Sequence, residues 1–403
     1  MNKVIFHIDV NSAYLSWEAA YRLEHGIEEG LDLREIPSAI AGDRNKRHGV
    51  ILAKSIPAKN QGVLTGEPSV KAISKCPDLK LVPPNHKLYQ QYSNAFFEIL
   101  QEFSPRVEKY SIDEAFCDMT GTHALFGRPV EAARKIKERI KKDLKFTVNI
   151  GISSNKLLAK MASDFKKPDM IHTLFPNEVE KKMWPLPVGK LFSVGKATVR
   201  RLEALGIYTI GELAQTDVNI LKSHLKSHGE AIYNFANGKD TSIISPKRPK
   251  NKGYGNSTTI SFDVEDESTA KMILLSLAET VARRLRQDNM LAGVVAVSIV
   301  DADFISSSHQ MTLLTPTNNT NDIHEVACTL FDDLWDCKPI RNIGIQTSKL
   351  VAKDAERQLS LFGYQTDEKK DKLDKVIDQI RGRFGDSAIQ RASLIKKDKP
   401  ARE

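Results

Sequence analysis

The stretch "KYSIDEAF", residues 109 to 116, sets two adjacent carboxylates, Asp113 and Glu114, between Ile112 and the apolar pair Ala115 and Phe116. On its own an Asp-Glu pair is ordinarily a solvated surface feature. Here the flanks "RVEKYS" and "AFCDMT" are β-branched and aromatic and carry no helix caps, so the pair falls in or between strands. Two carboxylates held together on a sheet repel each other, and the simplest arrangement that reverses the repulsion is a shared divalent cation. The stretch therefore asks for a third oxygen ligand elsewhere.

The N-terminal text "KVIFHIDVN" reads as a buried strand ending at Asp9, followed by a helix, "SAYLSWEAAYRLEHG", with Ser12 as N-cap and Gly26 as stop. Asp9 at a strand end is the candidate for the missing ligand. Three such carboxylates bind two Mg²⁺ ions and suit phosphoryl transfer, with one metal activating a hydroxyl and the other neutralising a triphosphate. From Pro37 to Pro84 the chain is strand-like and turn-rich, with basic "GDRNKRHG" and "SIPAKNQG", and reads as a small inserted subdomain. "HKLYQQYSNAFFEILQEF" and "PVEAARKIKERIKKDL" have amphipathic helical spacing, and "FTVNIGIS" is another strand. The alternation predicts an α+β sheet with helices on one face.

Residues 168 to 240 read as short-looped helices and 254 to 350 as renewed strand and helix alternation, joined by the basic linker "SPKRPKNKGYG". After about residue 354 the chain is highly charged and reads as tail-like, although "KLDKVIDQIRGRF" keeps helical apolar spacing. A length of 403 residues suits two to four domains. No apolar run is long enough to span a bilayer, and the strand at the N-terminus is no signal peptide, so the expected setting is the cytoplasm. Cys76, Cys117, Cys328 and Cys337 lack C-x-x-C spacing and read as reduced core residues. The formal charge of +8 favours a polyanionic partner. Between Lys181 and Ile260, 13 Lys or Arg stand against 5 Asp or Glu, an excess equal to that of the whole chain.

"HIDVNSAYLSWE", "SPRVEKYSIDEAFCDMTG", "VNIGISSNKLLAKMASDFKKP" and "VGKATVRRLEALGIYTIGELA" follow one another in the order and at the separations of a Y-family translesion DNA polymerase. The chain resembles the bacterial DNA polymerase IV branch most, and "DVN" with "SPRVEKYSIDEAFCD" also resembles the catalytic subunit of polymerase V. The resemblance implies a multidomain α+β right hand: palm at 1–25 and 78–167, fingers at 26–77, a helix-hairpin-helix thumb at 168–242, a little finger at 243–353, and a tail from 354 to 403. It implies Asp9, Asp113 and Glu114 as metal-binding carboxylates for two Mg²⁺ ions, with the Val10 carbonyl as a further ligand. Tyr14 falls on the aromatic steric gate that excludes a 2′-hydroxyl, and Lys160 and Lys167 fall near the incoming triphosphate.

The fingers depart from the family pattern. Where many relatives read N-Y-x-A-R, this chain has Ser55, Ile56, Pro57, Ala58 and Lys59. Lys59 still supplies charge but lacks the guanidinium fork, and the Ile56 side chain donates no hydrogen bond. Asn11 stands where relatives often carry a second Asp, outside the three ligands. "FSVGKATVRRLEALG" resembles a helix-hairpin-helix in which Gly195 and Lys196 meet a DNA phosphate, Ser193 replacing the more usual first glycine. "QLSLF" resembles the bacterial sliding-clamp-binding pentapeptide, with Gln358, Leu359, Leu361 and Phe362 as its anchors. His224 and His228 have i, i+4 spacing that suits a metal, but no further ligand is near in sequence and an ordinary surface is the preferred reading.

The expected protein is thus a monomeric, template-directed DNA polymerase that binds primer-template DNA, dNTPs and a sliding clamp, and no membrane. A non-catalytic scaffold of the same fold, bridging DNA and clamp, is the alternative, and it has no need of a carboxylate cluster. A plain helix-hairpin-helix DNA-binding protein leaves the first 165 residues unexplained.

Overall fold

Alternation of apolar and polar residues from Phe6 to Val10 decides the layout around the candidate carboxylates. The computed structural model describes residues 3–43, 47, 49–247, 250–354 and 364–394, of which 29, 30 and 364–371 are described in backbone only. These residues divide into two compact units, Met1–Gly42 with Gly49–Arg248, and Asp43–His48 with Pro249–Glu403.

The strands of the first unit are β1 (Ile5–Val10), β2 (Ser38–Ala41), β3 (Ile51–Lys54), β4 (Lys80–Val82), β5 (Val107–Lys109), β6 (Glu114–Asp118), β7 (Val148–Ser153) and β8 (Ile171–Thr173). Five of them form a sheet in the order β5-β6-β1-β7-β8, with β1 antiparallel to both neighbours. Period two turns Phe6, Ile8 and Val10 of β1 toward one face, where helices Ala13–Glu24, His86–Phe103 and Pro129–Leu144 bring Trp17, Phe96 and Ile136 into one fully buried cluster. Ile5, His7 and Asp9 point the other way. That second face is not bare, as an arrangement with helices on one side only would leave it. Helix Lys156–Ser163 packs on it, with Ile5, Phe116 and Ala159 in contact. Gly151 of β7 makes room for the helix, since a Cβ there would lie 1.9 Å from the Ala159 carbonyl oxygen. Asn155 starts the helix by accepting the Leu158 N–H at 2.8 Å.

Ser12 occupies the N-cap position of helix Ala13–Glu24 but does not cap it: its backbone is left-handed (φ 49°) and its hydroxyl takes no helix N–H. Gly26, also left-handed at φ 61°, follows the helix as the sequence predicts. The turn-rich segment forms a three-stranded sheet, β3-β2-β4, with short helices Ile56–Asn60 and Ser69–Lys75. Short helices from Lys196 to Ala236 meet around Leu202, Ile210, Leu213, Leu221 and Ile232. The chain then stays attached to this unit as far as Ser245, whose N–H donates to Glu108 at 2.9 Å.

The second unit has strands β9 (Gly253–Val264), β10 (Met290–Asp301), β11 (Ser306–Thr317) and β12 (Ile340–Ala352), antiparallel in the order β11-β10-β12-β9, with helices Glu267–Gln287 and Thr320–Leu334 against the sheet. The tail-like reading after residue 354 needs correction. Tyr364–Phe384 is a helix whose Asp374 and Asp378 bind Arg286 and whose Arg381 binds Glu279. The cysteines also divide: Cys76 and Cys117 are buried, whereas Cys328 is half-buried and Cys337 exposed, so only the first two are core residues. No helix among the described residues is long and apolar enough to cross a membrane.

Candidate active site

Asp9 of β1 stands directly opposite Glu114 of β6 in the strand register, so the pleat puts both side chains on the face covered by helix Lys156–Ser163. The Val10 N–H donates to the Asp113 carbonyl at 3.1 Å and extends the pairing by one residue. Asp113 sits in the turn before β6, its carboxylate accepting from the Ser111 hydroxyl at 2.6 Å. The three carboxylates that the sequence marks are therefore brought to one joint of the sheet.

Their charge is met by lysines. Lys167 donates to Asp9 and, at 2.8 Å, to Asp164; Lys160 donates to Glu114 and lies 5.0 Å above the Tyr110 ring. Burial pushes the Asp9 carboxyl up to about 6, against the pull of Lys167. Burial also pulls the Lys167 ammonium down, but Asp9 and Asp164 together outweigh it and hold it above the ordinary lysine value. The asymmetry follows from depth: the Asp9 side chain is 12% exposed and that of Lys167 37%. His7, fully buried, shares a hydrogen bond of 2.8 Å between Nδ1 and Ser163 Oγ, and its Nε2 lies 3.7 Å from Glu114 Oε1. Burial, and then the positive charge of Lys160, Lys167 and Lys156, hold its pKa well below 6.5, so it is neutral.

Among the described residues no three His, Cys, Asp or Glu side chains converge closely enough to form a ready-made metal site. Two of the three carboxylates instead hold ammonium groups as stand-in cations. Hard carboxylate oxygens already gathered around positive charge are a donor set that fits Mg²⁺.

A cleft of about 750 Å³ opens beside this joint, lined by Asp9, Val10, Tyr14, Lys59, Asp113 and Lys167. Tyr14 is half-buried and stacks on Tyr89, centroids 4.6 Å apart and planes at 18°. Burial and the Asp113 carboxylate push its phenol above the ordinary tyrosine value. Ser55 caps helix Ile56–Asn60 by accepting the Ala58 N–H at 3.2 Å, which turns Ile56 and Lys59 onto the cleft wall. Asn11, which the sequence set outside the three ligands, lines the same cleft, as do Arg34, Lys54 and Thr65, which it did not mark. For Lys54 the signal was available, since it immediately precedes the divergent "SIPAK".

At the helix-hairpin-helix resemblance, Gly195 caps helix Lys196–Glu203 and an added Cβ there would meet nothing within 4 Å, so its backbone is open to a ligand. Ser193 has φ 73°, the conformation that the usual glycine adopts freely. His224 and His228 lie on separate helices, Val218–Leu225 and Ser227–Ala236, divided by Lys226 at φ 56°, so their sequence spacing is not a helical one. Gln358, Leu359, Leu361 and Phe362 lie outside the described residues.

The chain matches the impB/mucB/samB family over residues 8–164, the C-terminal domain of that family over 251–361, and the IMS family HHH motif over 176–207. It is 47% identical over 399 residues to DNA polymerase IV of Clostridium acetobutylicum, covering 99% of this chain and 100% of the relative. It is 38% identical over 399 residues to DNA polymerase IV 1 of Bacillus subtilis, covering 98% and 94%. Among solved structures it is similar to a Y-family DNA polymerase chimera, with a TM-score of 0.74 at 22% identity over 87% of this chain and 99% of the other. That last likeness is one of fold.

Proposed function

Because this chain belongs to the impB/mucB/samB family, we propose that it is a template-directed DNA polymerase of the translesion class, adding deoxynucleotides to a primer 3′-hydroxyl. The observation that carries the reading is the pairing of Asp9 with Glu114 across β1 and β6, with Asp113 at the same joint and Tyr14, Lys59 and Lys167 around one cleft. The five-stranded sheet serves as palm, the three-stranded sheet as fingers, the helices of 168–242 as thumb, and the second unit as little finger.

Asp9, Asp113, Glu114 and the Val10 carbonyl would hold two Mg²⁺ ions, which when bound lower the pKa of the attacking hydroxyl and neutralise the triphosphate. The protein's own part is preorganisation. Lys160 and Lys167 keep Glu114 and Asp9 from repelling each other at rest, and each would be free to meet a phosphate oxygen once its carboxylate takes another partner. Neutral His7 fills the space behind Glu114 without adding a charge that would compete for it. Tyr14, braced by its stack on Tyr89, would lie with its ring against C2′ of the incoming sugar, so that a ribose hydroxyl overlaps the ring or pushes the nucleotide out of line. Gly195 and Lys196 take a DNA phosphate, and residues 358, 359, 361 and 362 take a sliding clamp. The protein acts as a monomer in the cytoplasm.

Primer extension with purified protein, Mg²⁺ and dNTPs tests the reading, and Tyr14→Ala tests the geometry within it. The measured quantity is the ratio of incorporation efficiencies for dCTP and CTP opposite template G. The parent should extend, the ratio should fall on the order of a hundredfold in Tyr14→Ala, and Tyr14→Phe should discriminate nearly as well as the parent, since the ring carries the exclusion. Absence of template-dependent extension would leave the scaffold reading in its place. An unchanged ratio would make Tyr14 a packing residue for Tyr89.

A further inference from the structure

Lys54 ends β3, paired with Ala39 of β2, and lines the same cleft as Asp9, Tyr14, Lys59 and Lys167. Its ammonium donates to the Thr65 hydroxyl at 2.9 Å and forms no ion pair among the described residues. The carboxylate whose charge reaches it, Glu67, is already engaged by Lys75 at 2.6 Å and by the Leu64 N–H at 2.7 Å. Burial and the neighbouring charge of Lys59 hold the Lys54 pKa below the ordinary lysine value. A half-buried ammonium beside a second one, offset only by a carboxylate that another lysine already holds, gains little from folding. A polyanion entering between them reverses the sign of the interaction. Thr65 uses one of the three N–H donors of Lys54 and fixes its direction, which leaves two for a ligand.

The same wall lacks two groups. Ile56, half-exposed at the start of its helix, offers no side-chain hydroxyl, and Lys59 offers a point charge in place of a planar fork. We propose that Lys54 and Lys59 form a two-ammonium seat for the polyphosphate of the incoming nucleotide, with Lys54 supplying the charge and hydrogen bonds that a guanidinium at position 59 would have provided. The inference rests on the polymerase reading for the identity of the nucleotide and on the cleft geometry for the anion. Lys54 acts on the substrate directly and in the bound state, so its loss weakens nucleotide binding far more than turnover.

Two measurements decide it. In single-nucleotide insertion by the full chain, Lys54→Met should raise KM for dCTP about tenfold with kcat within about threefold of the parent, and Lys54→Arg should restore most of the loss. In calorimetric titration with inorganic tripolyphosphate, without DNA or metal, Lys54→Met should bind about tenfold more weakly than the parent, and the parent's affinity should fall steeply with salt. Unchanged KM and unchanged tripolyphosphate affinity in Lys54→Met would overturn the proposal and reduce Lys54 to a tie for Thr65. If the parent itself does not extend primers, the polymerase reading fails, and the titration still judges the anion seat by itself.

Discussion

Two clusters of opposite charge in this chain are built from different cations. At the joint of β1 and β6, Asp9 is met by Lys167 and Glu114 by Lys160, each a single ammonium on a flexible stem. In the second unit, Glu279, Asp374 and Asp378 are met by Arg286, Arg381 and Arg391. There Arg286 grips Asp378 with two nitrogens at 2.6 and 3.0 Å and Asp374 with a third at 2.9 Å. Asp374 also accepts the Thr320 N–H, at 3.0 Å, where helix Thr320–Leu334 begins. A guanidinium fork matched to carboxylates satisfies most lone pairs and has no reason to leave. An ammonium is a point charge that another cation replaces. The first cluster is arranged to exchange partners and the second to keep them.

The largest expected effect comes from breaking the first cluster's chemistry without breaking its fold. Asp113→Asn and Glu114→Gln preserve shape and keep one acceptor oxygen while removing a charge, so each should lower primer extension by roughly a thousandfold or more. Primer-template affinity should stay nearly that of the parent, because phosphate contacts are untouched. Extension by either variant at the parent's rate, read in the same gel assay, would remove that residue from the site.

Breaking the second cluster should act on stability alone. Arg286→Met leaves Asp378 without its guanidinium and Asp374 with only the Thr320 N–H and Arg391 at 3.9 Å, so the pair is either buried short of positive charge or released into water with its helix. Docking of the segment 372–394 should weaken by about 3 kcal/mol, and Arg286→Lys should lie between, since it keeps the charge and loses the fork. Hydrogen exchange of peptides from that segment reads the change. Protection equal to the parent's in Arg286→Met would mean that the helix is held by something other than these ion pairs, while primer extension should be unaffected in either case.

The two clusters were unequally legible in the sequence. Asp9 and Glu114 could be placed because each lies at a strand end, and the period of two fixes which face a strand residue takes. Helix Tyr364–Phe384 was half legible: its apolar spacing showed, but its docking depends on pairs such as Arg286 with Asp378, 92 residues apart, for which local text holds no signal. Reading that text as a charged tail counted residues whose charges are in fact consumed. The second helical layer, on the Asp9 face, was hidden for a related reason. Only the space at Gly151 reveals it, and a single glycine in a strand has several explanations. The Ser12 cap failed because a serine before an amphipathic run is a local preference, and here the backbone enters the helix left-handed from β1. Lys54 was overlooked because a lysine is ordinarily solvated. What distinguishes it is that, among the described residues, it forms no ion pair and the carboxylate whose charge reaches it, Glu67, is held by Lys75.

The smallest effect, and the one that sharpens the contrast most, concerns what the first cluster does to the fold. The Asp9 carboxyl is raised from 3.8 to about 6, chiefly by burial. A folded-state value above the unfolded one means that the folded chain holds the proton more tightly. The associated stability is fully present below about pH 4 and is lost as pH rises through about 6, so at pH 8 the ionised Asp9 is a burden on the metal-free protein. Asp9→Asn removes that burden but also removes one partner of Lys167, which retains Asp164 at 2.8 Å and a side chain already 37% exposed. The net gain should be about 1–2 kcal/mol at pH 8 in the presence of a chelator, vanishing near pH 4, with activity abolished throughout. Denaturant melts of parent and variant at the two pH values measure it. A variant less stable than the parent at pH 8 would mean that the Asp9–Lys167 pair holds the fold as the arginine cluster does, and the distinction between exchangeable and permanent pairing would fail at the more buried of the two lysine-paired carboxylates.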